Sequence, residues 1–236
     1  MDWEIGGWKE SAQAWIASQG EHGDTSRREI LDPALDDLLG DVSGLHILDV
    51  GCGEGRYARH LAKRGAIVTG IDPVEEFIGI AKERDPKSTY LVSRAESLPL
   101  GNKSFDVVLS YLSLVDIPDY VSASREMCRV LKPGGSIVIV TVSNVASTSS
   151  GWVKDDEGRK LYRPVDRYME DFRMDLEWSN IRIQNYHRPL SRILRQFFDA
   201  GVALTDFLEP LPRPGTAYYQ EEFRAPNFQI MRLRSR

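Results

Sequence analysis

Asp49 and Asp72 are the two acids whose setting promises chemistry. Asp49 lies in the apolar run His46-Ile47-Leu48-Asp49-Val50, which meets the glycine cluster Gly51-Cys52-Gly53-Glu54-Gly55. Asp72 follows Gly55 by 17 residues, at the end of a second apolar run, Ala66-Ile67-Val68-Thr69-Gly70-Ile71. A glycine turn lets backbone N–H groups come close to a ligand, because no Cβ intervenes and positive φ is open to it. An acid at the carboxyl end of the next strand can accept the protons of two ribose hydroxyls. Asp49 adds negative charge where the phosphates of a dinucleotide would lie, which favours a cationic ligand instead. The glycines stand at 51, 53 and 55 with Arg at 56, so the G-x-G-x-x-G fingerprint is not met and a pyrophosphate is disfavoured without being excluded. Taken singly, the glycines also suit an ordinary tight turn, and Asp72 before Pro73 a helix cap. Taken together, the sites ask for a ribose and a positive centre, which S-adenosylmethionine, with its sulfonium and ammonium, supplies better than NAD.

Those residues need a scaffold to hold them. From about residue 45 to 142, short apolar runs alternate with amphipathic stretches, the pattern of β-α units around a parallel sheet. Strands are expected at 46–50, 66–71, 89–92, 105–110 and 136–142, the last one after the stop Lys132-Pro133-Gly134-Gly135. Between them lie helices with one apolar face, carried by Tyr57, Leu61 and Ala62, by Phe77, Ile80 and Ala81, and by Tyr120, Ala123, Met127, Val130 and Leu131. Residues 143 to 160, rich in Ser, Thr, Gly and charge, read as a mobile loop that would order as a lid on ligand binding. Pro164 to Tyr186 suggest a hairpin-like insertion, and Leu190 to Phe198 an amphipathic helix ended near Gly201. Val202 to Leu208 and Phe228 to Leu233 read as two last strands, adjacent at one end of the sheet, with the Pro-rich stretch Pro210 to Pro214 between them. The first 44 residues, with Trp3, Trp8, Ala12, Trp15 and Ile16, read as helices over the top of the sheet.

With these motifs in place the chain resembles the class I S-adenosylmethionine-dependent methyltransferases. It is most similar to the branch holding ubiquinone- and menaquinone-biosynthesis enzymes and many small-molecule methyltransferases. The resemblance covers about residues 24 to 142 and rests on separated motifs: Ile47 to Gly55, Gly70-Ile71-Asp72, Ala95-Glu96-Ser97-Leu98-Pro99-Leu100, Ser104-Phe105-Asp106-Val107-Val108 and Arg129-Val130-Leu131-Lys132-Pro133-Gly134-Gly135. It implies an α/β fold: a Rossmann-like, seven-stranded, mostly parallel sheet with helices on both faces, an N-terminal helical cover and an insertion after strand five. One domain is expected over 1–236, with 1–44 as the cover, 45–142 as the cofactor-binding core, 143–189 as lid and substrate insertion, and 190–236 as the C-terminal helix and strand pair. The resemblance further implies that Asp49 and the backbone of Gly51, Cys52 and Gly53 hold the methionine part of S-adenosylmethionine. Asp72 and Pro73 would meet the ribose, Ala95 and Glu96 would border adenine, and the backbone near Ser110 would face the amine. Where many relatives have Gly-Asp before Ala-Glu, this chain has Ser93-Arg94, so the adenine contact falls to Ala95 and Glu96. Arg27, in a stretch similar to one preceding the first strand in many relatives, would clamp the cofactor carboxylate, or else be a solvated helix charge.

Methyl transfer is an in-line displacement at carbon, so the protein mainly positions the acceptor and excludes water. A small-molecule acceptor methylated at oxygen is expected, with nitrogen and carbon as alternatives. A hydroxyl acceptor gains from a general base near neutral pKa. Of the four histidines, His22, His46 and His60 fall in the N-terminal segment, a strand and a helix, while His187 sits where the insertion meets the next helix. His187 is therefore the candidate base or acceptor-orienting residue, with helix capping as its structural alternative. Tyr111, Trp152, Tyr168, Tyr186 and Arg188 are the expected acceptor contacts. The aromatic residues Trp152, Tyr162, Tyr168, Phe172 and Trp178 either wall a pocket or fill the insertion's own small core.

Composition narrows the field. The 236 residues carry 30 Lys+Arg against 35 Asp+Glu, a net charge of −5, which argues against nucleic acid or an anionic membrane as partner despite the basic end Arg232, Arg234 and Arg236. With 42% hydrophobic and 28% charged residues the chain is globular in type, and its longest apolar runs are strand-sized. Cys52 and Cys128 give neither a disulfide framework nor a zinc spacing, and Met1-Asp2-Trp3-Glu4 lacks a signal-peptide pattern. A cytoplasmic monomer or homodimer without a catalytic metal is expected. An NAD-dependent oxidoreductase, disfavoured by Arg56, and a cofactor-binding protein without catalysis are the competing readings.

Overall fold

A computed structural model describes residues 4–212 and 222–235. Met1, Asp2 and Trp3, residues 213–221, which take in the end of the Pro-rich stretch, and Arg236 lie outside the described residues. The element order begins with α1 (Trp8–Gln19) and α2 (Asp32–Leu39), the latter entered through a π-helical turn, Arg27–Leu31. There follow β1 (His46–Val50), α3 (Arg56–Lys63), β2 (Ile67–Asp72), α4 (Glu75–Arg84), β3 (Thr89–Val92), β4 (Phe105–Tyr111), α5 (Tyr120–Val130) and β5 (Leu131–Val142). Next come α6 (Asn144–Thr148), β6 (Val153–Lys154), β7 (Lys160–Tyr162), β8 (Phe172–Trp178), β9 (Ile181–His187), α7 (Leu190–Asp199), β10 (Val202–Leu208) and β11 (Phe228–Ser235).

Seven strands form one sheet in the order β10-β11-β5-β4-β1-β2-β3. β1 to β5 pair in parallel, and β11 alone runs against its neighbours, antiparallel to both β5 and β10. The strands at the centre are buried on both faces, which is why β1 is buried from Ile47 through Val50, with only His46 at its entry exposed. Its alternation splits the core: Leu48 and Val50 join Met127, Ile139 and Phe197 on one face, while Ile47 joins Leu31, Leu35, Leu61 and Ile78 on the other. The chain winds outward from β1 to β3 and then returns to place β4 on the other side of β1. A crevice therefore opens beyond the carboxyl ends of β1 and β4, where the strand order reverses.

The additions after β5 differ from the loop expected over 143–160. Ser143 caps α6 by accepting the Ala146 N–H at 3.0 Å, and β6 pairs with β7 as a short ribbon. Trp152 Nε1 donates to Glu222 Oε2 at 2.9 Å, tying the ribbon to the segment before β11. Strands of two or three residues held by such remote contacts leave no periodic signal. β8 and β9 form the expected hairpin, turning through Ser179 (φ 46°) and Asn180 (φ 65°), the left-handed pair a two-residue hairpin requires. α1 lies against this hairpin: Ser11 Oγ donates to the Arg182 carbonyl at 3.0 Å and accepts its N–H at 2.9 Å. Trp8, Trp15 and Ala12 of α1 also pack on Val74 and Phe77 at the start of α4. The N-terminal helix and the hairpin thus meet above the crevice.

Candidate functional site

The crevice is a single cavity of about 650 Å³, lined from β1, β2, the loops after β3 and β4, α1, the turn at Arg27 and the hairpin. Asp49 stands at its base, 2% exposed, with Oδ1 lacking a hydrogen-bond partner. Burial pushes its carboxyl up to about 7, with the charge of Asp72 adding to the rise and Arg56 opposing it. The next turn explains the glycines. Gly51 has φ +75°, and a Cβ there would lie 2.4 Å from the Ser113 Cβ; at Gly53 (φ +55°) a Cβ would meet nothing within 4 Å and would project into open space.

Asp72 binds the same turn from β2. Its Oδ2 accepts the Gly53 N–H and its Oδ1 the Val74 N–H, both at 2.9 Å. Burial nevertheless raises this carboxyl to about 6, the two backbone hydrogen bonds pulling the other way. The loop after β4 closes the opposite wall with Tyr111, Leu112 and Ser113. Leu112 holds φ 55°, a costly conformation for a branched side chain and of the kind that gathers at functional sites. Beneath it, Asp32 receives Arg56 through both carboxylate oxygens at 2.6 and 2.9 Å and the Tyr111 hydroxyl at 2.6 Å. This ion pair joins α2 to the glycine turn.

Of the residues expected at a cofactor, Arg27, Asp49, Gly51, Cys52, Gly53, Asp72, Pro73, Ala95 and Glu96 all line the cavity. Arg27 places its guanidinium 4.9 Å over the Trp15 ring and pairs with Asp24, so it is neither a free helix charge nor an unengaged clamp. Ser110 does not line the cavity. It is fully buried, its hydroxyl 2.8 Å from the Ser113 Oγ and accepting the Leu114 N–H, so it shapes the loop from below.

The expected acceptor residues divide. Tyr111 and Tyr186 line the cavity. Trp152 is held by Glu222 and by the guanidinium groups of Arg163 and Arg224, away from it. Tyr168 packs its ring edge-on against His187. Arg188 donates to the Leu114 carbonyl at 3.0 Å, to Pro118 at 3.1 Å and to Ile117, stapling the loop after β4 rather than facing the crevice. His187 is the largest correction. It is 1% exposed and outside the cavity lining, with Nδ1 2.7 Å from the Ser147 Oγ and Nε2 2.9 Å from the Tyr168 carbonyl. A carbonyl only accepts, so Nε2 carries the proton and Nδ1 accepts from the serine, leaving no lone pair for an acceptor molecule. Phe172 stacks on the ring at 4.9 Å, completing a packed latch between α6 and the hairpin.

Spacing gave no notice of Asp116. It follows an apolar run in Leu114-Val115-Asp116-Ile117-Pro118 and lines the cavity beside Gln184 and Asn185 of β9. Burial, with Asp72 adding, holds its carboxyl well above the usual carboxylate range, while Trp8, Arg27 and Arg188 act against the rise. Trp8, Trp178 and Phe228 supply further aromatic wall. Among the described residues no cluster of His, Cys, Asp and Glu could hold a metal ion, and no helix is long and apolar enough to cross a membrane.

Residues 48–139 match a family model described as a methyltransferase domain. The chain is 31% identical over 128 residues to the malonyl-[acyl-carrier protein] O-methyltransferase of Pectobacterium atrosepticum, the match taking in 53% of this chain and 51% of that protein. It is 34% identical over 148 residues to the ubiquinone biosynthesis O-methyltransferase of Vibrio vulnificus, covering 59% of this chain and 62% of the relative. It therefore spans about half to three-fifths of the length of these curated relatives. A crystal structure of an S-adenosylmethionine dependent methyltransferase from Mesorhizobium loti superimposes with a TM-score of 0.79 at 29% identity, covering 91% of this chain and 100% of that one.

Two outcomes follow from this geometry. Carboxyls raised above their unfolded values keep protons that the unfolded chain has lost, so without ligand the protein is expected to lose stability as pH rises from about 4 through about 7. Affinity for S-adenosylhomocysteine, through its ammonium group, should run the other way, rising over that window and then levelling, and Asp49→Asn should flatten the upper part of the rise; calorimetric titration across pH 5 to 8.5 checks both signs. His187→Ala should lower the thermal midpoint through loss of its two hydrogen bonds while leaving the shape of the pH–rate profile intact, as melting and initial-rate measurements would show.

Proposed function

We propose, from the premise that the chain belongs to the class I S-adenosylmethionine-dependent methyltransferases, that it transfers a methyl group to the oxygen of a small organic acceptor. The observation that carries this reading is the Asp49 carboxylate oxygen, buried and without a hydrogen-bond partner beside a glycine turn with room at Gly53. A buried acceptor atom of that kind calls for a donor, and the ammonium of an amino-acid moiety is the donor whose charge also relieves the repulsion between Asp49 and Asp72. The residues present therefore fit S-adenosylmethionine.

When bound, that cofactor supplies a methyl group already activated on a sulfonium. Asp49 and the Gly51 to Gly53 backbone would hold its amino-acid end, and Asp72 its ribose. Pro73, Ala95 and Glu96 would flank the nucleoside. Arg27, held between Trp15 and Tyr111, would meet the carboxylate while keeping Asp24 as its partner. The protein's own work is then to hold the acceptor in line, to exclude water with Trp8, Tyr186 and the hairpin, and to receive a proton. Alignment of this sort supplies a large part of the rate of a bimolecular displacement.

Oxygen is favoured because two curated relatives are named O-methyltransferases and because the Asp116 carboxyl lines the cavity and can accept a proton. An NAD-linked reading has less support, since Arg56 replaces the third fingerprint glycine and two carboxyls occupy the phosphate end. Calorimetry should give saturable binding of S-adenosylhomocysteine and none of NADH. A screen of small hydroxylated acceptors with methyl-labelled cofactor should yield labelled product. Tight binding of NADH alone, or cofactor binding without any methylated product across the screen, would overturn the proposal.

A further inference from the structure

Asp116 differs in setting from the two acids at the strand ends. Two segments far apart in sequence converge on it: Trp8 of α1 lines the cavity with it and acts on its carboxyl, and Asn185 of β9 donates its Nδ2–H to Oδ1, while within its own loop its backbone N–H is bound by the Ser113 carbonyl at 2.9 Å. The loop that carries it is pinned at four carbonyls from one place. Arg188 takes those of Leu114, Ile117 and Pro118, and the Tyr186 N–H takes that of Val115 at 2.8 Å. The Arg188 guanidinium is itself stacked on Tyr120 and Tyr186, at 4.4 and 4.9 Å. So rigid a mount, for a carboxyl that opens on a cavity walled by Trp8, Trp178, Tyr186 and Phe228, is what a positioned reacting group needs.

Resting on the methyltransferase reading above, we propose that Asp116 binds the hydroxyl of a planar hydroxyarene acceptor and takes its proton as the methyl group is transferred. The acceptor oxygen forms its bond to the methyl carbon as the carbon–sulfur bond breaks; that electron pair stays on sulfur, giving a neutral thioether. The hydroxyl proton passes to the Asp116 carboxylate and leaves to solvent when product departs. Charge selects the class. A carboxylate acceptor would face Asp49, Asp72 and Asp116 together, and an alkylamine would be held by them as its cation, with no lone pair to attack. A hydroxyl is neutral on arrival and gives up its proton to a base. Burial keeps Asp116 basic enough for that exchange, Asp72 faces it from β2, and Arg27 and Arg188 are the cations that face it. The aromatic walls favour a flat ring over a flexible chain.

The test uses three probes on one skeleton, 2-naphthol, 2-(aminomethyl)naphthalene and 2-naphthoic acid, with the full-length protein. By calorimetry on protein saturated with S-adenosylhomocysteine, 2-naphthol should bind at least tenfold more tightly than 2-naphthoic acid. In labelled-methyl assays it should be the one methylated. Asp116→Asn should lower kcat/KM for 2-naphthol by roughly 10²–10⁴-fold at neutral pH and abolish the acidic limb of the pH–rate profile, while S-adenosylhomocysteine affinity stays within about threefold. Methylation of the amine or the acid, binding of none of the three, or an Asp116→Asn enzyme with the wild-type rate and profile would overturn the assignment of Asp116. Failure to bind S-adenosylhomocysteine, or no methylated product across the wider acceptor screen, would count against the methyltransferase reading itself, so the two can fail separately. Asn185→Leu, which spares the carboxyl but removes its amide donor, should shift the acidic limb to higher pH rather than erase it.

Discussion

Two carboxyls stand at the carboxyl ends of adjacent parallel strands, both buried, and each makes it harder for the other to be charged. That repulsion is the constraint on which the crevice depends. Asp72 is stabilised by two backbone N–H groups, one of them from Gly53, so the acid of β2 fixes the glycine turn after β1. Asp49 has no such relief at Oδ1. A carboxyl left unpaired in a folded interior holds its proton until something it binds offsets the cost of charging it, and here the turn leaves space for such a ligand at Gly53. The order reversal between β1 and β4 opens the crevice at that point, and the Arg56–Asp32–Tyr111 network holds its walls to α2.

Around this centre the additions to the sheet act as one assembly. α1 is clamped to β9 through Ser11, β9 is joined to the loop after β4 through Tyr186 and Arg188, and His187 latches the hairpin's end to α6. Each of these contacts is a hydrogen bond buried or half-buried between segments distant in sequence. The loop bearing Asp116 therefore takes its shape from the insertion above it as well as from Ser110 of the strand that precedes it. Leu112, in a left-handed conformation, is tied to β5 by its N–H, which the Val140 carbonyl accepts at 2.8 Å.

What could be read from the chain alone was what is local to it. The glycine turn, Asp49, Asp72 and Pro73 declare themselves because strand, turn and acid follow one another within 27 residues of β1's start, and the parallel β-α units are periodic enough to order the sheet. The setting of His187 is not legible locally, because its neighbours in sequence, Tyr186 and Arg188, say nothing of Ser147 and Tyr168, which occupy its two nitrogens. Asp116 escaped notice for the mirror-image reason. Its significance lies in Trp8 and Asn185, more than 60 residues away on either side, and no spacing rule connects them. The ribbon β6–β7 was invisible because strands this short are created by their contacts with Glu222.

The central claim is that Asp49 and Asp72 retain protons without ligand and give them up when the ammonium and ribose of the cofactor bind. Proton linkage measures this directly. Calorimetric binding of S-adenosylhomocysteine at pH 6.5, repeated in buffers of different ionisation enthalpy, should reveal a net release of protons that disappears at pH 8.5, where both carboxyls are already charged. Binding with no proton release at pH 6.5, or with uptake, would contradict the account.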